Sequence, residues 1–393
     1  MFELTNRQRE YLGLDLIESD WERFELKAGP YQPESILYFD GELLKKQIVS
    51  NDNRYYEWPV NIQTRSKSVI LPKTSKGKEK KLTAATLEKY KPDGVSFEWT
   101  INGKVFITNH NTQINYYSNF LEDFKINNLD ELSSWIERYI SDSPANYLDE
   151  LKEFENAQRK NVKYRPGDFF AFKVSRTEYG FGRILLDVNK LRKKKLVSEH
   201  HGLQLIMGPP LLVKIYAFTS SKLKVDLKEL ATKPSLPSDY IMDNLIFYGE
   251  YPILGNLKLQ PEEYEFPISF GRSISALRPG ITFLQWGFIH LEKPIQEFNK
   301  YLSKNDGTLG NHNPYGYYSN GFYHRYMIKD INSTIEKGIY KFDSEHYKDQ
   351  CDLRNPKNEE IKREIFRNYG LDPEKPYIEN CQKIGIEPIV ELK

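Results

Sequence analysis

Lys163-Tyr-Arg-Pro-Gly-Asp-Phe-Phe-Ala-Phe172, followed by Tyr179-Gly-Phe-Gly-Arg-Ile-Leu185, decides how the chain is built. Pro166-Gly167 is turn chemistry, and Asp168–Val174 and Gly180–Leu186 then predict two β-strands. Both runs are apolar without alternation, the pattern of strands buried on both faces or held in a closed sheet. Further strands are predicted at Gln204–Met207, Leu211–Phe218, Leu245–Tyr248, Phe266–Phe270 and Ile281–His290. Gly208-Pro209-Pro210, Pro237 and Pro279-Gly280 punctuate them. Residues 161–293 are therefore expected to form a β-rich domain with a twisted antiparallel or barrel-like sheet.

Outward from this domain the pattern changes on both sides. Residues 1–142 predict an α+β region: a short helix over Asn6–Leu12 capped by Thr5 and ended by Gly13, and short strands at Ser35–Phe39, Gln47–Val49, Tyr55–Val60 and Ser68–Leu71. A short helix is predicted at Ala84–Tyr90. Asn102-Gly103 between Val95–Ile101 and Lys104–Thr108 is a hairpin signal, because both central residues must tolerate positive φ. Leu132, Trp135, Ile136 and Tyr139 fall on one face of a helix over Asp130–Ile140. Residues 143–160 predict a connecting helix opened by Ser143-Pro144. Residues 294–393 begin with a Gly, Asn and Tyr-rich loop at Leu309–Tyr326 and end in helices at Lys357–Tyr369 and Pro376–Ile384. The expected class is α+β.

Composition bounds the function. The 393 residues carry 27 Tyr and 22 Phe, too aromatic a chain for disorder. Lys+Arg is 56 against Asp+Glu 55, so no global field draws the chain to nucleic acid or anionic lipid, and such a partner would need a local patch. Cys351 and Cys381 form no CxxC and read as reduced thiols. The first residues are charged where a signal peptide is apolar, and no run approaches a membrane span, which predicts a soluble cytoplasmic protein without a membrane partner.

Several constellations could carry chemistry. Arg65–Asp93 holds nine Lys/Arg against three acids, a local excess of six, with Lys73, Lys76, Lys78, Lys80 and Lys81 at its centre. These lysines could meet phosphates; the plainer expectation is a solvated loop, since GxxxxGK[ST] is absent. Arg192–Lys195 is a second basic run. His200-His201 is the sole histidine pair, and neighbours on a strand would face apart, so they form no metal pattern. Tyr179-Gly-Phe-Gly-Arg183 lacks GxGxxG spacing and suits a tight hairpin. Arg183 within an apolar run needs a carboxylate, for which Asp168 and Asp187 are the candidates. Trp286 and the tyrosines of the C-terminal loop, Tyr315 and Tyr317, with Arg325, are candidate interface anchors. No catalytic set, metal site or cofactor motif is recognised.

The two quoted segments, with Gln285-Trp286-Gly287 closing the domain, resemble the bacterial immunity protein 26 family, whose signature pairs a K-x-x-x-G-D strand with a Y-G-x-G-R strand. The resemblance spans about residues 163–290. It implies a cytoplasmic protein that neutralises a toxin of a polymorphic secretion system by direct binding; the candidate contacts, read from the residues themselves, are Arg183, Asp168, Tyr179, Trp286, Tyr315, Tyr317 and Arg325. Some relatives carry a phosphotriesterase label, so a phosphoester hydrolase is the alternative; it would need His200 or His201 to meet His290 or His324 and a carboxylate. A nucleic-acid-binding defence or regulatory protein is the second alternative, with the two basic runs in one groove.

Overall fold

The computed structural model describes residues 2–119, 124–206, 208–273, 278, 280–302, 315, 331 and 352–388. The fold is α+β, and every strand pair is antiparallel. Two compact units arise: Met1–Asn161 with Tyr248–Glu250, and Val162–Phe247 with Tyr251–Lys393.

In the first unit, strands β1 (Glu22–Leu26), β2 (Ser35–Asp40), β3 (Leu43–Asn51), β4 (Arg54–Arg65), β5 (Val69–Ile70), β6 (Lys80–Lys81), β7 (Val95–Thr100), β8 (Val105–Asn109) and β9 (Ile114–Ser118) share one sheet. Its order is β1-β2-β3-β4-β7-β8-β9, with β5 and β6 as a hairpin leaning on β4. Alternating side chains give the sheet two cores. Tyr55, Phe97, Trp99 and Ile107 pack with Leu132, Trp135, Ile136 and Tyr139 of the helix Leu129–Ser141. Leu37, Phe39, Leu44, Val60 and Ile62 pack instead with Ile70 of the hairpin and Leu87 of the helical turn Ala84–Leu87. Thr5 and Gln8 cap the first helix, Asn6–Tyr11, reciprocally. The connecting helix is shorter than expected, Tyr147–Glu155, because Pro144 lies in a turn before it and only the small Ala157 follows Phe154 at helical spacing.

The second unit holds β10 (Asp168–Lys173), β11 (Tyr179–Asp187), β12 (Pro210–Ser220), β13 (Asp239–Met242) and β14 (Ile253–Asn256) in a sheet ordered β13-β12-β11-β10-β14. A separate three-stranded sheet contains β15 (Ile268–Arg272), β16 (Ile281–Trp286) and β17 (Ile289–Pro294). Among the described residues all the sheets are open, so the barrel-like alternative does not hold there. Phe266, Phe270, Leu284 and Ile289 form one core with Ile365, Phe366, Tyr369 and Tyr377 of the C-terminal helices Glu359–Asn368 and Tyr377–Lys383.

Two expected strands are helical turns instead. Gly202–Leu205 winds because His201 caps it and Arg192 donates to the carbonyls of Leu203, Ile206 and Gly208 at 2.5–2.8 Å (Met207 lies outside the described residues). Asn244–Phe247 closes a turn on Asp243, whose carbonyl accepts from the Ile246 and Phe247 amides. A four-residue apolar run fits a buried turn as well as a strand. Cys381 is a buried free thiol, while Cys351 lies outside the described residues.

Candidate functional site

The β10–β11 hairpin is built around missing side chains. Its register sets Phe172 opposite Gly180 and Phe170 opposite Gly182. A Cβ on Gly180 would lie 2.4 Å from the Phe172 ring, and one on Gly182 would lie 2.3 Å from Phe170. The glycines therefore let two rings cross the neighbouring strand. Gly167 serves similarly, with the Leu257 carbonyl oxygen 2.4 Å from where its Cβ would stand.

Arg183 follows on β11 and is 2% exposed. Its guanidinium lies over the Phe169 ring at 4.6 Å, donates to the Leu257 carbonyl at 2.8 Å and pairs with Glu263. The expected partners, Asp168 and Asp187, are committed elsewhere. Asp168 accepts from the Arg165 amide at 2.8 Å and from Asn256 Nδ2 at 2.8 Å, which closes the Pro166-Gly167 turn. Asp187 caps the helix Val188–Lys193 by accepting from the Lys190 amide. Tyr179 is half-buried at the start of β11. Trp286 is half-buried too, against Phe366 and Tyr377 at 5.2 and 5.1 Å between ring centres.

A polar cluster lies on one face of β16 and β17. Gln285 and His290 are directly paired across these strands, as are Phe283 and Glu292. Gln285 Oε1 accepts from the Gly202 amide at 3.1 Å, and Gln285 Nε2 donates to the Gly287 carbonyl at 2.5 Å. His290 Nδ1 lies 2.8 Å from Gln285 Oε1 and accepts from the Gly202 amide at 3.3 Å. His290 Nε2 faces Glu292 at 3.3 Å, and Arg278 grips that carboxylate with both ends of its fork at 2.7 and 2.6 Å. The His201 ring centre lies 5.3 Å from that of His290. His201 Nδ1 accepts from the Leu203 amide at 3.1 Å, so its Nε2–H donates to the Phe288 carbonyl at 3.2 Å. Burial pushes His201 down to about 4, and it also holds His290 below the usual imidazole range despite Glu292.

Two of the histidines considered for a hydrolase thus converge, with a carboxylate beside them. Each of their four ring nitrogens already has a protein partner, and a metal or a substrate proton would have to displace one. Among the described residues no group of three or more His, Cys, Asp or Glu could hold a metal ion. His200 is exposed, and His324 lies outside the described residues. The cluster fastens the 198–205 segment onto the three-stranded sheet. Sequence reasoning missed Arg278, Glu292 and Glu263 as members of these networks. The expected single strand Ile281–His290 is instead two, β16 and β17, turned at Gly287 with φ +57°, and this turn is what pairs Gln285 with His290.

The remaining candidates are dispersed. Tyr315 is half-buried, its carbonyl accepting from the Phe270 amide at 3.0 Å and its ring edge-on to Tyr301. Tyr317 and Arg325 lie outside the described residues. Lys73, Lys76, Lys78, Lys80 and Lys81 lie on and around the β5–β6 hairpin of the first unit. Arg192–Lys195 belongs to the second unit, where Arg192 is committed to carbonyls. No described helix is long and apolar enough to cross a membrane.

No match to the chain was found among curated proteins or among solved structures. A family model does match, over residues 165–276, which begins in the Pro-Gly-Asp turn, spans the glycine hairpin and ends beyond β15. The family is immunity protein 26; over this segment the chain is similar to it, a likeness that suggests an immunity protein of a toxin system.

Proposed function

We propose that the protein neutralises a cognate polymorphic toxin by binding it directly in the cytoplasm. The family match over residues 165–276 carries this reading. The chemistry of the matched segment and of the strands that follow it supports binding over hydrolysis. Arg183 and Asp168 of the motif are buried on internal partners, and the His201–His290 pair has no uncommitted ring nitrogen. What remains for a partner is the outer surface. There Leu196 is 41% and Leu205 38% exposed, large apolar side chains at the ends of two segments joined by the 3.3 Å bond from Gln204 Nε2 to the Val197 carbonyl. Exposed Lys193 and Lys195 flank them. An apolar centre with a charged rim is the anatomy of a protein-binding patch.

Co-expression with the product of the neighbouring gene tests the reading. Restored growth and a complex that survives gel filtration are expected. Leu205→Asp should weaken that complex at least about tenfold while leaving the unfolding midpoint unchanged. Absence of both rescue and complex would remove the reading.

A further inference from the structure

The Arg65–Asp93 segment is where the first unit carries charge that the fold does not use. Arg65 and Lys73 share Glu79 at 2.5 and 3.7 Å, and Lys67 pairs with Glu22 of β1 at 2.5 Å. The segment's other acids accept amides: Glu88 from Gln32 Nε2 at 2.8 Å and Asp93 from Asn61 Nδ2 at 3.3 Å. Lys76, Lys78, Lys81, Lys89 and Lys91 are exposed and have no carboxylate partner among the described residues. Their presentation is ordered in advance. Thr74 and Lys78 close the hairpin tip, with the Thr74 amide donating to the Lys78 carbonyl at 2.9 Å and the Lys78 amide to Thr74 Oγ1 at 3.0 Å. Gly77 completes the tip at φ +76°, a conformation other residues adopt at a cost.

An exposed aromatic side chain is carried by a turn anchored to the same segment. Tyr31 is 95% exposed at the tip of a turn closed by the Gly29 amide on the Gln32 carbonyl at 2.9 Å, between Pro30 and, one residue on, Pro33. This turn is tied down at Glu88 through Gln32, and the hairpin is tied down at Tyr90, whose hydroxyl accepts from Lys80 Nζ at 3.1 Å. The two anchors are next-but-one neighbours in the chain, so the lysines and the bare ring border one strip of surface.

We propose that this strip binds single-stranded nucleic acid without sequence preference, the lysines meeting phosphates and Tyr31 stacking on an unpaired base. Unpaired cations alone would suit any polyanion. The ring discriminates, because a fully exposed aromatic on a stiffened turn offers a stacking platform that an acidic peptide does not use and that a duplex, with its bases already stacked, cannot reach. This surface lies outside the family match and does not depend on toxin neutralisation, so either reading can fail without the other.

The test is fluorescence anisotropy of the full chain with a labelled oligothymidylate across a salt series. Affinity should fall with salt, the log–log slope reporting about −0.7 per phosphate neutralised. The triple variant Lys76→Glu/Lys78→Glu/Lys81→Glu should weaken binding more than about tenfold and flatten that slope. Tyr31→Ala should weaken it about tenfold and leave the slope unchanged, and Tyr31→Phe should bind as the parent does. All these positions are exposed, and matching urea midpoints verify that each variant is folded. No binding at low salt would overturn the proposal. So would an unaffected Tyr31→Ala variant, or displacement of the oligonucleotide by polyglutamate at matched charge, either of which makes the strip a docking surface for acidic protein.

Discussion

Both units fasten a chain segment onto a sheet with buried polar groups, and they use opposite chemistry. In the first, Glu57 of β4 is wholly buried and gathers Arg9 Nε at 2.7 Å, Lys46 Nζ at 2.6 Å and the Tyr55 hydroxyl at 2.5 Å. Lys46 also donates to the Asp15 carbonyl, so residues 9–15 are held to β3 and β4 by charge. Burial alone would raise the Glu57 carboxyl, but Lys46 and Arg9 outweigh it and hold the group below the usual carboxylate range. In the second unit Gln285 is the hub, and neutral amide and imidazole groups hold the 198–205 segment. The ionic tether is sensitive to losing a partner, whereas the neutral one is sensitive to gaining a proton.

The largest expected effect breaks the ionic tether. Glu57→Leu leaves Arg9 and Lys46 buried without a counter-charge and should cost about 3–5 kcal/mol. Urea unfolding followed by tryptophan fluorescence reads this, because Trp21, Trp58, Trp99 and Trp135 lie in the first unit and only Trp286 in the second. The triple variant Arg9→Met/Lys46→Met/Glu57→Leu should recover most of the loss, since the cost comes from the stranded charges. A single-variant loss under about 1 kcal/mol would mean that water reaches the cluster.

Acid probes the neutral tether. The ordinary imidazole value is 6.5 and that of folded His201 is about 4. Between these values the unfolded chain binds a proton that the folded chain refuses, so stability is lost as pH falls from 6.5 towards 4. The limit is about 3 kcal/mol from this side chain. Hydrogen exchange of the 198–205 and 285–290 backbone should accelerate over that window. His290 is shifted in the same direction, so His201→Asn should remove part of the pH dependence; an unchanged profile would assign all of it elsewhere.

Legibility in the sequence followed the range of the interactions. The Pro-Gly-Asp turn, the Asn102-Gly103 hairpin, the Thr5 cap and the apolar stripe on Leu129–Ser141 are local, and each was readable. Strand β1 was not, because its side chains are almost all exposed and show no alternation, and β9 is half-buried throughout. The site was less legible than the fold. Arg183 announced its need for a carboxylate, but the nearer acids were taken by a turn and a helix cap, and Glu263 comes from a distant segment. His201 and His290 meet because a capped turn folds over a cross-strand pair, which neither residue's neighbours reveal.

The smallest predicted effects separate two uses of glycine, one in each unit. Gly182 in the second unit has an ordinary φ and no room: a Cβ there would lie 2.3 Å from Phe170 and 2.9 Å from Ile215. Gly41, between β2 and β3 of the first unit, has nothing within 4 Å but sits at φ +56°. Gly182→Ala should therefore cost about 1–3 kcal/mol through overpacking, and Gly41→Ala about 1 kcal/mol through the backbone alone. A double-mutant cycle with Phe170→Leu distinguishes the causes. The smaller side chain vacates the space the new methyl needs, so Phe170→Leu/Gly182→Ala should be less destabilised than the sum of its parts, by about 1 kcal/mol. The Gly41→Ala cost should be indifferent to Phe170. Strict additivity at Gly182 would show that the ring moves aside without penalty, and the glycines of the hairpin motif would then need an explanation other than ring packing.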